Sequence, residues 1–288
     1  MELTYNINSK DVIVECPESE NFFSGENLVL SRSYNDLILN TNWYEQGYSI
    51  LNFSKVIKFE KIEKSVTKSV EKIIKRFFPD KSLNNFSLPN YHKYVTSYEH
   101  LKIDKVIKRL YPVDFGFDDN KIVSLIEEEL GKPLSYKQKS NNTPHWIIVR
   151  ISMPQSSGLK GFNPVHKDIY EGYDNEGIAP RMINSWIPIC GVNNETGLPI
   201  VPGSHLINEN QIIRTKCGST LEGQKYSVNS IKSWSGENKM LIASPDYGSM
   251  LLFSSHLIHG LGRNNNLDET RVALEFRLHF NEKKYNAA

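Results

Sequence analysis

Residues 162–168 read FNPVHKD, from Phe162 to Asp168, and the chain is organised around this stretch. On extended backbone His166 and Asp168, two residues apart, point to the same side. An imidazole beside a carboxylate can hold one face of a divalent metal ion. A second histidine from elsewhere would complete a set of two histidines and one carboxylate with three open coordination positions. His-x-Asp alone is common, and its plain alternative is a surface pair joined by a hydrogen bond. The rest of the chain has to supply the third ligand.

SSHLIHGLGRNNNLDETRVALEFRL (Ser254–Leu278) offers it twice, as His256 and His259, ahead of a Gly/Asn-rich loop and of Arg271 at the start of an apolar strand. A histidine three residues before another faces the opposite side if the strand continues, which favours His259; His256 stays as the rival ligand. The completed set is the one typical of non-haem Fe(II) oxygenases. Arg271 adds a planar fork of donors that matches a carboxylate and stays charged in an apolar setting.

Outward from this centre, the second half of the chain reads as β. HWIIVRISMP (His145–Pro154), MINSWIPI (Met182–Ile189), MLLF (Met250–Phe253) and RVALEFRLHF (Arg271–Phe280) are predicted strands, separated by Gly, Pro and Asn clusters. Strands of this length with turn signals between them suggest a sandwich or jelly roll. The first half is helical. From Val56 to Phe78 apolar residues recur at three- and four-residue spacing between lysines and glutamates, and Pro79 stops the run. Tyr98–Leu110 and Asn120–Leu130 read as two more helices, the latter with cap candidates at Asp118–Asn120 and a stop at Gly131. Tyr44–Phe53 is a glycine turn before a short strand, and Val12, Val14 and Cys16 share one face of an edge strand. His92 and His100 are read as surface or packing histidines, and His205 as a structural residue or one that supports the metal ligands, with a ligand role as its lesser alternative.

The fold class predicted is therefore α+β, a jelly roll over roughly 140–282 with helical support over roughly 40–135, in one domain spanning 1–288. Lys plus Arg (34) nearly balances Asp plus Glu (33), which speaks against a nucleic-acid partner. No apolar run approaches a membrane span, and the N-terminus lacks the basic start and apolar core of a signal peptide. Cys16, Cys190 and Cys217 are widely spaced and odd in number, as in a reduced, cytoplasmic protein.

The ordered combination of His166-x-Asp168, SWIPICGVNNETGLPIVPGSH (Ser185–His205) and His259-Gly260 followed by Arg271 resembles the phytanoyl-CoA dioxygenase family, mainly over residues 145–280. The resemblance implies a double-stranded β-helix and an oxygenase that uses Fe(II), 2-oxoglutarate and O2. By position it implies His166, Asp168 and His259 as iron ligands, Arg271 on the distal carboxylate of 2-oxoglutarate, and Trp186 as an aromatic beside that co-substrate. This chain departs from the family at Leu261, where many members have Ser or Thr, and its interval to Arg271 is one residue longer.

A carboxylate ligand at Asp168 favours hydroxylation over halogenation, which needs that ligand position for halide. The substrate expected is a small metabolite. Arg150 lies on the face shared by Ile148 and Ser152, and Glu275 and Arg277 share parity with Arg271. Two arginines near a pocket would suit a substrate carboxylate or phosphate, although each residue is equally well read as part of an ion pair. Tyr170 and Tyr173 stand in YEGYDNEGIAPR (Tyr170–Arg181), a possible lid. The expected assembly is a monomer or homodimer. Competing readings are a carrier- or peptide-bound substrate, a zinc or cupin-type enzyme, and a jelly roll that binds without turnover.

Overall fold

A computed structural model describes residues 1–25, 36–136, 147–155, 163–170, 181–216, 218–235 and 238–282. The chain opens with a hairpin, β1 (Glu2–Ile7) and β2 (Lys10–Glu15), turned at Asn8 and Ser9, both at positive φ. Val14 and Cys16 are buried and Val12 half-buried, and β2 lies at a sheet edge, as the alternation predicts. β3 (Phe23–Ser24) and β4 (Tyr48–Asn52) follow.

Three of the helices come next for reasons visible in the sequence. α1 (Phe59–Phe77) buries Ile62, Val66, Val70, Ile73 and Ile74, while Lys61, Lys64, Lys68 and Lys72 stay exposed. After the short α2 (Tyr91–Tyr94), α3 (Ser97–Ile107) starts at a capping box. Thr96 accepts from the Glu99 amide while the Glu99 carboxylate accepts from the Thr96 amide. α4 (Asn120–Leu130) has Asp119 at its N-cap position without a side-chain cap bond, and it ends at Gly131 with φ 61°.

The remaining strands are β5 (Leu134–Ser135), β6 (Ile148–Ser152), β7 (Met182–Cys190), β8 (Leu198–Ile200), β9 (Ile212–Arg214), β10 (Ser219–Leu221), β11 (Gln224–Tyr226), β12 (Ile231–Trp234), β13 (Lys239–Ala243), β14 (Ser249–Ser254) and β15 (Arg271–Phe280). The larger sheet runs β4-β14-β7-β15, all antiparallel, with β6 and β5 on the far side of β15. On its outer face Ile183, Ile187, Leu252, Leu274, Phe276 and Leu278 share one core with α1, α3 and α4. The inner face carries Arg150, Asn184, Trp186, Phe253, Arg271, Glu275 and Arg277, brought level by the strand registers.

Opposite stands a sheet of β2-β1-β13-β8, and beyond β8 two short segments act as strands. Ile200 bridges His259, His259 bridges His166, and the Ile231 amide of β12 donates to Val165. β12-β9-β3 completes that side. Two sheets face to face with the helices outside one of them make a jelly roll of the α+β class. The sheets take strands from well before residue 140, because β1 pairs with β13 and β4 with β14.

Cys16 and Cys190 are buried thiols outside any disulfide, and Cys217 lies outside the described residues. No helix among the described residues is long and apolar enough to cross a membrane. His100 is buried against the Tyr91 phenol, and His92 pairs with Asp268 and Thr270.

His205 is buried with the Tyr44 ring edge-on at 5.2 Å, and burial pushes its pKa down to about 4. The folded state prefers the neutral ring, whereas the unfolded chain takes up a proton near pH 6.5. The stability this contributes is complete above pH 6.5 and is lost as pH falls from there to about 4. Denaturant titrations across that window are expected to fall with a slope of up to about 1.4 kcal/mol per pH unit from this group. His205→Gln is expected to flatten the slope.

Candidate metal centre

Ligand atoms of His166, Asp168 and His259 lie within 4.8 Å of one another, and all three residues are buried. They are the residues expected from the sequence, and His256 stands outside this group. His166 arrives on the segment paired with that of His259, so one bridge brings two histidines 93 positions apart into contact, with ring centroids 4.3 Å apart. Asp168 follows where the chain turns into a short 3-10 helix.

Each histidine is oriented by its own backbone neighbourhood. His166 Nδ1 lies 2.7 Å from the Pro164 carbonyl and His259 Nδ1 lies 2.9 Å from that of Leu257. A carbonyl only accepts, so both Nδ1 atoms carry the proton, and in the neutral rings Nε2 holds the lone pair. Those Nε2 atoms face Asp168, His166 to Oδ1 at 3.4 Å and His259 to Oδ2 at 3.6 Å. Burial and the neighbouring His166 hold the His259 pKa down to about 4. Burial works against ionisation of Asp168, but the Arg277 guanidinium and the two histidines outweigh it and hold the carboxyl well below the usual range.

Two nitrogen lone pairs and a carboxylate thus converge in a dry site, which is repulsive without a cation between them. Asp168 Oδ1 accepts from Arg277 Nη2 at 2.9 Å, while Oδ2 takes no hydrogen bond among the described residues. The donor set fits a divalent ion of the iron type, with oxygen and imidazole ligands on one side only.

One glycine makes the close approach possible. Gly260 has φ 143°, and a Cβ there would lie 2.2 Å from the Pro164 carbonyl oxygen. Gly260→Ala is expected to push apart the two segments that carry His166 and His259. It should cost about 3 kcal/mol in backbone strain and overpacking. The metal-induced rise in melting temperature should be largely lost as well.

The other expected site residues lie on the inner face of the larger sheet. Arg271 is buried, its Nε donating to the Thr196 carbonyl and its Nη2 to that of Gly197 at 3.2 Å. The guanidinium sits over the Trp186 ring, 5.3 Å from its centroid. Among the described residues no carboxylate pairs with it. Burial and repulsion from Arg150 lower its pKa to about 10. Leu261 packs into the apolar cluster with Val165 and Ile258, so no hydroxyl stands at that position beside Arg271.

Arg150 donates to Glu275 at 2.8 Å, and Arg277 reaches both Glu275 and Asp168, giving a chain of alternating charge that ends on the metal set. Tyr170 donates to Glu209 at 2.8 Å, which also receives Lys167, the residue between the two ligands. Tyr173 lies outside the described residues.

The phytanoyl-CoA dioxygenase (PhyH) family matches residues 65–273, well over half of the chain and inclusive of all four central residues. The chain belongs to that family. No curated protein sequence matches it significantly. Among solved structures it is similar to the epimerase SnoN in complex with Fe3+, alpha ketoglutarate and nogalamycin RO. Identity there is 14%, over 83% of this chain and 80% of that one, with a TM-score of 0.48. It is similar also to the non-heme monooxygenase ThoJ (16%, 87% and 77%, TM-score 0.47). EctD from S. alaskensis with 2-oxoglutarate and 5-hydroxyectoine gives 11%, 93% and 86%, at a TM-score of 0.47.

Two features of the PhyH site were not singled out from the sequence. Phe253 lies edge-on to the His259 ring at 4.9 Å, and Asn184 sits beside it on β7. The only signal available was parity, since Asn184 is two residues before Trp186.

Proposed function

We propose that the protein is a mononuclear Fe(II)- and 2-oxoglutarate-dependent oxygenase, one domain over residues 1–288, that hydroxylates a small cytoplasmic metabolite as a monomer or homodimer. The observation that carries this reading is the convergence of two Nε2 lone pairs and an ionised carboxylate, with a buried guanidinium on the same interior that has no carboxylate partner among the described residues. Bound iron supplies O2 activation coupled to decarboxylation of 2-oxoglutarate to succinate and CO2, so that one oxygen atom reaches the substrate.

The chain's own residues do the rest. His166, Asp168 and His259 would hold the ion. Arg277 fixes Asp168 through Oδ1, and Oδ2, which takes no hydrogen bond among the described residues, would be available to the ion. Arg271 receives the distal carboxylate of the co-substrate, its charge held in a dry site against Trp186. Charge assistance in such a site strengthens that pairing. Arg150 and Arg277 are compensated by Glu275 and Asp168, so they present the metabolite with a balanced array rather than a trap for a phosphate.

Anaerobic titration of the purified protein with Fe(II) and 2-oxoglutarate tests the reading. A weak visible charge-transfer band from the chelate, followed by succinate formation on admitting air, is the expected result. Metal binding without that band would instead favour a cupin-type or non-catalytic protein.

A further inference from the structure

Asn184 is wholly buried, and among the described residues neither its amide nitrogen nor its amide oxygen has a hydrogen-bond partner. Unpaired buried amides are rare, because a leucine would fill the same volume without the polar cost. What Asn184 faces follows from the register of the larger sheet. Its neighbours on the inner face are Phe253 on β14 and Arg277 on β15. Phe253 lies against the His259 ring at 4.9 Å, and Arg277 donates to Asp168 at 2.9 Å. Cross-strand neighbours lie about 5 Å apart, so the amide stands between two side chains that each touch a metal ligand.

Two positions along the same strand and on the same face is Trp186, which supports Arg271. Same-face residues of a strand are about 7 Å apart. That interval suits a five-carbon 2-oxo diacid with one end on the metal and the other on Arg271.

We infer that the Asn184 carboxamide grips the metal end of the 2-oxo acid, donating its N–H to the carboxylate from the side of the larger sheet. The inference rests on the oxygenase reading above. A neutral donor suits this place, since it holds an anionic oxygen without competing for the metal.

The test uses the full chain as wild type, Asn184→Leu and Asn184→Asp. Each is titrated anaerobically with Fe(II) alone and then with 2-oxoglutarate, and its melting temperature is recorded. Asn184→Leu is expected to melt no lower than the wild type and to bind Fe(II) within twofold. Its affinity for 2-oxoglutarate should fall about tenfold or more, the size of one charge-assisted hydrogen bond, with a shifted chelate band. Asn184→Asp should bind 2-oxoglutarate more weakly still, because a carboxylate would face a carboxylate. Wild-type affinity and an unmoved band in Asn184→Leu would overturn the inference and hand the amide to water or to the substrate. If Asn184→Leu does not fold, Asn184→Asp decides, and wild-type affinity there overturns it equally. Absence of the band in the wild type would instead sink the oxygenase reading itself.

Discussion

His259→Ala is expected to weaken Fe(II) binding by a factor of about a hundred or more, while His256→Ala leaves it within a few-fold. Residues that only orient a ligand already account for about ten- to a hundredfold in affinity, and a ligand itself should exceed that. The two histidines are three residues apart, yet only His259 joins the cluster with His166 and Asp168. His259 is fixed by its bridge to His166 and by the Leu257 carbonyl, so its Nε2 is presented already oriented. Equilibrium titration with Fe(II), read by the metal-dependent melting temperature, distinguishes the two variants. An equal loss in both would mean that the segment 254–259 is held only by its packing. Loss in His256→Ala alone would transfer the ligand role to His256. In the absence of metal, His259→Ala should lose little stability, because it removes one of two crowded lone pairs facing a carboxylate.

Arg271→Met is expected to divide metal from co-substrate. Fe(II) affinity should stay near that of the wild type, since Arg271 makes no contact with the three ligands. Affinity for 2-oxoglutarate should fall about a hundredfold or more, as when one partner of a buried, hydrogen-bonded charge pair is truncated. The variant should also raise the melting temperature of the protein without co-substrate. A guanidinium held by two backbone carbonyls and an indole face, without a carboxylate among the described residues, is costly to bury, and its lowered pKa reflects that cost. The wild type should then gain several degrees when 2-oxoglutarate is added, by mass action, and Arg271→Met should gain almost none. A variant that still responds fully to 2-oxoglutarate would locate the distal carboxylate elsewhere.

The helices and the long strands were legible because their information is local. α1 and α4 carry their apolar residues at helical spacing, and β7, β14 and β15 are apolar runs bounded by turn residues. The metal set was legible as chemistry, as two residues of one parity in FNPVHKD and a histidine before a strand that opens with arginine. The short strands β8 to β13, of three to five residues each, carry no such signal. Apart from the local hairpin of β10 and β11, several of them depend on partners far along the chain to complete their hydrogen bonds, as β1 does for β13 and the His259 segment for β8.

By itself, then, the sequence determined the class of fold, the positions of the principal helices and strands, and which residues had the chemistry to hold a metal and an anionic co-substrate. Only the tertiary structure brought His259, and not His256, together with His166 and Asp168, tied Arg277 to Asp168 and Arg150 to Glu275, and set Asn184, without a hydrogen-bond partner among the described residues, between Phe253 and Arg277. Periodicity fixes which side of a strand a residue faces. What waits on that side depends on sheet register and on the close approach of segments distant in sequence, and those are fixed by packing and hydrogen bonding across the whole molecule.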